Sequence, residues 1–318
     1  MLQESPSAKG YIIGAAGEHI LKKKLEEDGF EVKRIKERPA GGNKSKKAEA
    51  RGDFYIRCEE MPKDKWYVLE CKGLKSNSEF RGNKLSTPEK VFRFLKNVIF
   101  PIDNDIIYDK GLKKYEKTKA KWLSTHPDKV FPPFNWTKEN PGPINYEVFD
   151  EIRAKFKTPQ ELEDWIDKQD KSLFTENNYR AHSGIIKILE THAPSKRKSE
   201  TTGESIAAPL VTDFSMMSVD LFLRTKKHEF VFMNPQKISH SPSSPEHLYQ
   251  NYTIDILIKG IKENPIIKPP WYQNIRECIE KTNPSLRDLD SSQLDTRQNG
   301  FADEDEGEEI EPDENDNV

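Results

Sequence analysis

The stretch Trp66-Tyr67-Val68-Leu69-Glu70-Cys71-Lys72 constrains this chain more than any other. Four consecutive apolar residues leave neither face of a strand for solvent, so the segment belongs at the centre of a sheet covered on both sides. The run then ends abruptly in charge. Glu70 and Lys72 are two residues apart and project from the same face of a strand. On a sheet edge such a pair is an ordinary surface ion pair worth about 0–1 kcal/mol. At the end of a covered strand, an unpaired charge is costly and calls for a reason.

The surrounding pattern is helix, strand meander, helix, which predicts an α/β fold with a mixed sheet. Residues 14–28 read as a helix closed by Gly29, with Glu18, Leu21 and Leu25 on one stripe. Strands are expected over 30–35, 53–58 and 66–71, and an amphipathic helix over 88–100. Between the first two strands lies Pro39-Ala40-Gly41-Gly42-Asn43 and a lysine cluster, the composition of a basic loop. Residues 1–100 are thus expected to be a core, and 101–205 an insertion or recognition subdomain with helices near 159–168 and 182–192. Strands over 218–224, 229–233 and 253–258 and a helix over 275–281 place the completion of the core in 206–287. The polar tail 288–318 is expected to be disordered.

Asp53 opens the strand that precedes Trp66–Cys71. If 53–72 forms an antiparallel hairpin turning near residues 61–62, Asp53 falls beside Glu70 and Lys72 at one end of the sheet. A slip of one residue turns it to the opposite face. Two such carboxylates suit Mg²⁺, which takes oxygen ligands and usually only one or two from the protein. Phosphodiester hydrolysis needs a cation of this kind to neutralise the phosphate and acidify water. Lys72 beside it is a positioned positive charge for water and transition state. Glu18 is placed to support the group from the helix.

This constellation resembles the PD-(D/E)XK nuclease superfamily, the restriction-endonuclease-like fold. Its signature is an acidic residue opening one strand and Glu/Asp-x-Lys closing the next, often with a Glu on the preceding helix. Here those positions are Asp53, Glu70-Cys71-Lys72 and Glu18. The resemblance covers roughly residues 10–100 and implies a metal site made of Asp53, Glu70 and the backbone carbonyl of Cys71, with Lys72 catalytic. It departs from the pattern in having Gly52, not Pro, before Asp53. Glu31-Val32-Lys33 is a second Glu-x-Lys, but no acidic strand precedes it and it reads as a solvated edge.

The expected activity is therefore Mg²⁺-dependent cleavage of double-stranded DNA by a restriction enzyme, most simply as a homodimer with two active sites. The alternatives are a repair or modification-dependent nuclease of the same fold, and a catalytically degenerate nucleic-acid-binding protein. Charge fits a polyanion partner. Residues 303–316 hold ten acidic side chains, and without them 51 basic side chains face 44 acidic ones, so the formal charge of −3 becomes +7. Lys44, Lys46, Lys47 and Arg51 run into Asp53, and Lys75, Arg81 and Lys84 follow Lys72, so both basic segments flank the site and are expected to contact DNA phosphates. Asn135, Trp136, Asn140 and Asn145 are available for base contacts.

Other chemistries lack their motifs. No GxxxxGK[ST] loop, GxGxxG turn or GxSxG elbow is present, so no nucleotide cofactor is expected. The histidines show no zinc-ligand spacing. Asp220 and Asp255 sit inside apolar strands as secondary candidates. Three cysteines without a CxxC pair, no spanning apolar run and no signal-peptide layout predict a cytoplasmic protein without membrane association.

Overall fold

A computed structural model describes residues 6–36, 52–74, 87–100, 103–142, 149–174, 184–189, 208–249, 251–258 and 260–295. Helix α1 (Pro6–Glu27) leads through Gly29, at φ +82°, into β1 (Phe30–Arg34). β2 (Phe54–Cys58) and β3 (Lys65–Gly73) complete an antiparallel meander. Phe54 faces Leu69 and Tyr55 faces Val68, so the hairpin turns about residues 61–62, the register that sets Asp53 beside Glu70.

Helices α2 (Pro88–Ile99), α3 (Asn104–Leu123), α4 (Asp150–Lys155) and α5 (Pro159–Asp167) follow, then strand β4 (Gly184–Leu189). The chain returns to the main sheet with β5 (Met216–Asp220), parallel to β3, and β6 (Phe230–Met233), antiparallel to β5. A hairpin of β7 (His240–Ser241) and β8 (Ser244–Leu248) precedes β9 (Asn251–Leu257), α6 (Ile275–Thr282) and the short β10 (Arg287–Asp288). The main sheet is mixed, in the order β1-β2-β3-β5-β6, with β10 beside the start of β3.

β3 is central in this sheet and its alternate side chains enter two different cores. Tyr67, Leu69 and Cys71 pack with Phe54, Ile56 and Met216 against Leu21 and Leu25 of α1 and Ile275 and Cys278 of α6. Trp66 and Val68 pack with Tyr55, Met217 and Val219 against Leu248, Tyr252, Ile254 and Trp271. The uninterrupted apolar run is thus explained by cover on both faces.

Helices α4 and α5 of the 101–205 segment pack against α2 and β9. Ile99 of α2, Ile152, Leu162 and Ile166 share one apolar cluster with Ile256 of β9. β4 falls in the segment expected to be helical over 182–192, but it pairs antiparallel with β9. Ile185, Ile186 and Ile188 suit a strand as well as a helix, and the partner decides. The strand expected over 218–224 stops at Asp220, whose Oδ1 accepts the Phe222 N–H at 3.0 Å and starts a one-turn helix, Phe222–Thr225. Residues 288–295, expected to belong to a disordered tail, are ordered, and residues 296–318 lie outside the described residues. Asp288 pairs with Lys65, Leu294 bridges Ile35, and the Asp295 N–H donates to the Arg34 carbonyl at 2.9 Å.

The aromatic segment after α3 is docked through Trp136, whose indole N–H donates to the His240 carbonyl at 2.9 Å. Asn135 bonds the Ile238 carbonyl and accepts the His240 N–H, both at 3.0 Å. Both residues therefore hold the insertion to the core. Asn145 lies outside the described residues.

Candidate active site

Asp53 stands at the bend before β2. Its N–H donates to the Leu69 carbonyl and its carbonyl accepts the Ile35 N–H, each at 2.9 Å. Continuing the β2–β3 ladder by one residue sets Asp53 opposite Glu70, and residues directly opposite share a face. The Asp53 carboxylate also accepts the Cys71 N–H at 2.6 Å. Glu70 and Lys72 form an ion pair on that same face, with side chains 13% and 21% exposed. Asp53, Glu70 and Lys72 are therefore brought together at one end of β3.

Gly52 makes this bend possible. A Cβ there would lie 2.6 Å from Val68 Cγ1 and 2.9 Å from the Leu69 carbonyl oxygen. One of those obstacles is central-strand backbone and cannot yield. Gly52→Ala is expected to push Asp53 off the sheet end, costing about 1–3 kcal/mol of stability by the overpacking rule. A urea melt unchanged from that of the parent protein would refute this.

Burial, followed by the Asp53 carboxylate, pushes the Glu70 carboxyl up to about 8, although the Lys72 ammonium pulls the other way. For Lys72 burial opposes the charge, but the Glu70 and Asp53 carboxylates outweigh it and hold the ammonium above its usual range. Once Glu70 is ionised, two carboxylates and one ammonium leave surplus negative charge in a partly buried place. Burial, then Asp53, raises the Cys71 thiol well above its ordinary value, so its sulfur is no thiolate ligand. Its backbone is better placed. Strand residues direct N–H and C=O to the same edge, so the Cys71 carbonyl leaves on the Asp53 side.

The donor set is therefore oxygen only: two carboxylates and a carbonyl. Among the described residues no group of three His, Cys, Asp or Glu side chains converges on a metal position. Mg²⁺ tolerates so sparse a set because it keeps several waters, and its charge would relieve the repulsion between Asp53 and Glu70. The residues fit the ion.

Glu70 also gives the metal-free fold a pH dependence. Its folded pKa lies above the ordinary 4.5, so between those values the folded chain holds a proton that the unfolded chain has lost. This contribution is present at low pH and is lost as pH rises toward 8, with a slope of up to about 1.4 kcal/mol per pH unit. In EDTA, Glu70→Gln is expected to flatten the fall in unfolding free energy between pH 5 and 8. Parallel profiles for the two proteins would contradict it.

Glu18 does not join the group. It sits on the α1 face, 18% exposed, 2.8 Å from the Arg34 guanidinium, while Glu70 and Lys72 occupy the opposite face. Cys71 lies between, and the Glu18 charge contributes to raising its thiol. Lys44, Lys46, Lys47, Arg51, Lys75, Arg81 and Lys84 lie outside the described residues.

The remaining candidates are explained locally. Asp220, 4% exposed, accepts from His228 Nδ1 at 2.7 Å, and a Cβ on Gly17 would come within 3.0 Å of its carboxylate. Sequence reasoning missed this pair because its spacing of eight residues spans a turn and a strand entry. Asp255 is fully buried and pairs with Lys262 at 2.7 Å, which makes it a structural residue. No helix is long and apolar enough to cross a membrane among the described residues. Comparison with protein-family models, curated proteins and solved structures finds no match to this chain.

Proposed function

We propose that this chain is a Mg²⁺-dependent DNA endonuclease with a restriction-endonuclease-like core, acting in restriction or defence. The observation that carries the reading is the β2–β3 register, which gathers Asp53, Glu70 and Lys72 on one face at the end of a central strand. The helix, antiparallel meander and mixed sheet around it support the same reading. A bound Mg²⁺ supplies neutralisation of the phosphate and acidification of water. Asp53, Glu70 and the Cys71 carbonyl would hold it. Lys72, kept charged by its carboxylate neighbours, donates hydrogen bonds to water or a phosphate oxygen and offsets charge in the transition state. Its raised pKa argues against a general-base role. One site per chain requires two copies for double-strand cleavage, so a homodimer on DNA is part of the proposal.

A non-catalytic nucleic-acid-binding role is favoured by one feature: Glu70 is already satisfied by Lys72 and Asp53 by the Cys71 amide. Plasmids from methylating and non-methylating hosts separate the two readings. Cleavage with Mg²⁺ that EDTA abolishes supports the nuclease, and binding without cleavage of either plasmid supports the rival.

A further inference from the structure

A cleft of about 510 Å³ opens where the docked insertion meets the core, between the 135–142 segment, residues 236–239 and residues 269–272. It lies beside β6, the edge strand, because Tyr272 exchanges backbone hydrogen bonds with Phe232 at 2.7 and 2.9 Å. Two strands, β5 and β6, separate it from β3, so it is at least about 10 Å from Glu70 and Lys72. Its volume falls in the range of small-ligand sites. A gap left by imperfect docking is the plainer account, so the use made of its polar groups decides.

Some of those groups are consumed by the docking itself. Asn135 is bonded at both ends to 238–240, and Ser239 Oγ donates to the Gly142 carbonyl. Others are not consumed. The side-chain amides of Asn140 and Gln236 have no partner among the described residues, although their backbone N–H groups are bonded to Thr137 and Asn234. Lys237 is exposed and unpaired among the described residues, and Lys281 has only the exposed Glu280, at 3.9 Å. Trp271 is 3% exposed and packs in the core beside Tyr252. The cleft thus offers two ammonium groups, two amides and an apolar wall of Pro269 and Pro270.

That combination matches one ligand chemistry. Ammonium groups take a phosphate, amides pair with a base edge, and a flat apolar wall takes the face of a base. We propose that this cleft holds one nucleotide unit of a nucleic-acid strand, with Lys237 and Lys281 on the phosphate and Asn140 and Gln236 at the base edge. The assignment rests on the nucleic-acid reading above and adds a contact surface away from the proposed cleavage site.

The test uses the full chain in EDTA, with a labelled single-stranded 12-mer of mixed sequence, the four deoxynucleoside 5′-monophosphates and inorganic phosphate as probes. Lys237→Ala/Lys281→Ala is expected to weaken 12-mer binding tenfold or more and to lower the salt slope by one to two; Lys237→Arg/Lys281→Arg is expected to restore both. Asn140→Ala/Gln236→Ala is expected to alter preference among bases with the salt slope unchanged. Inorganic phosphate competing as well as the nucleotides would reduce the cleft to a charge patch and overturn the proposal. Binding of monophosphates without the 12-mer would overturn the assignment to a strand. Unaltered 12-mer binding in the lysine variant would overturn the site. The catalytic reading fails separately: Glu70→Gln is expected to leave this binding intact, whereas a parent protein that binds the 12-mer but never cuts DNA refutes cleavage alone.

Discussion

Asp53→Asn, Glu70→Gln and Lys72→Ala are each expected to slow plasmid cleavage by about 10²–10³-fold or more while leaving DNA affinity within a few-fold. Each substitution keeps the fold's apolar packing and removes a charge that the proposed reaction uses. Glu70→Gln and Asp53→Asn preserve shape, so a loss there reports the missing carboxylate charge. Lys72→Arg is expected not to rescue, because a planar guanidinium is not a compact point charge and the site is 21% open at Lys72. Double variants are expected to fall little below the worst single one, since residues that act as a unit are not additive. Glu18→Ala provides the contrast. Its carboxylate faces Arg34 on the other side of the sheet, and its loss is expected to cost tenfold or less. Cleavage surviving in both the Glu70 and Lys72 variants would sink the site assignment.

Asp255→Ala is expected to lower the unfolding free energy by about 3–5 kcal/mol, the range for breaking a buried ion pair. Asp255 is fully buried, and its oxygens accept from Lys262 Nζ at 2.7 Å, the Ile256 N–H at 2.7 Å and the Ile266 N–H at 2.8 Å. Removing the carboxylate takes the Asp255 partner from an ammonium that is 2% exposed and from two backbone donors at once. The double variant Asp255→Leu/Lys262→Met is expected to recover most of the loss, because apolar replacement of both partners removes the buried charge. Urea unfolding at pH 7 measures all three. A cost below about 1 kcal/mol for Asp255→Ala would show that the pair does not hold the 255–266 turn together.

What could be read from the chain follows a physical rule. β3 was legible because four apolar residues in sequence demand cover on both faces, whereas the register about 61–62 was open in the sequence and is settled only by the β2–β3 pairing. Side-chain pairing across the sheet was not legible either. Glu18 shares a helix stripe with Leu21 and Leu25, which is true in the fold, yet the stripe faces the side of β3 that carries Leu69 and Cys71. A period-2 pattern says which residues share a face, but not which face the helix covers. α3 escaped for the opposite reason. Its twenty residues are polar almost all round, with only Gly111, Tyr115 and Trp122 buried, so no apolar stripe announces it. Asp220 and Asp255 looked alike in sequence, and only their partners, His228 and Lys262, tell them apart.

Residues 287–295 run from the start of β3 to the end of β1, and Gln293 accepts the Tyr55 hydroxyl on the way at 2.9 Å. During synthesis this means that the strands around Asp53, Glu70 and Lys72 emerge from the ribosome long before their last covering segment. At 5–20 residues per second, the interval from Gly73 to Asp295 is roughly 10–45 s. Over that time the newborn meander acquires its parallel neighbour β5 only two-thirds of the way through. The strands that carry Asp53, Glu70 and Lys72 therefore reach their final surroundings only once the chain has grown past Asp295.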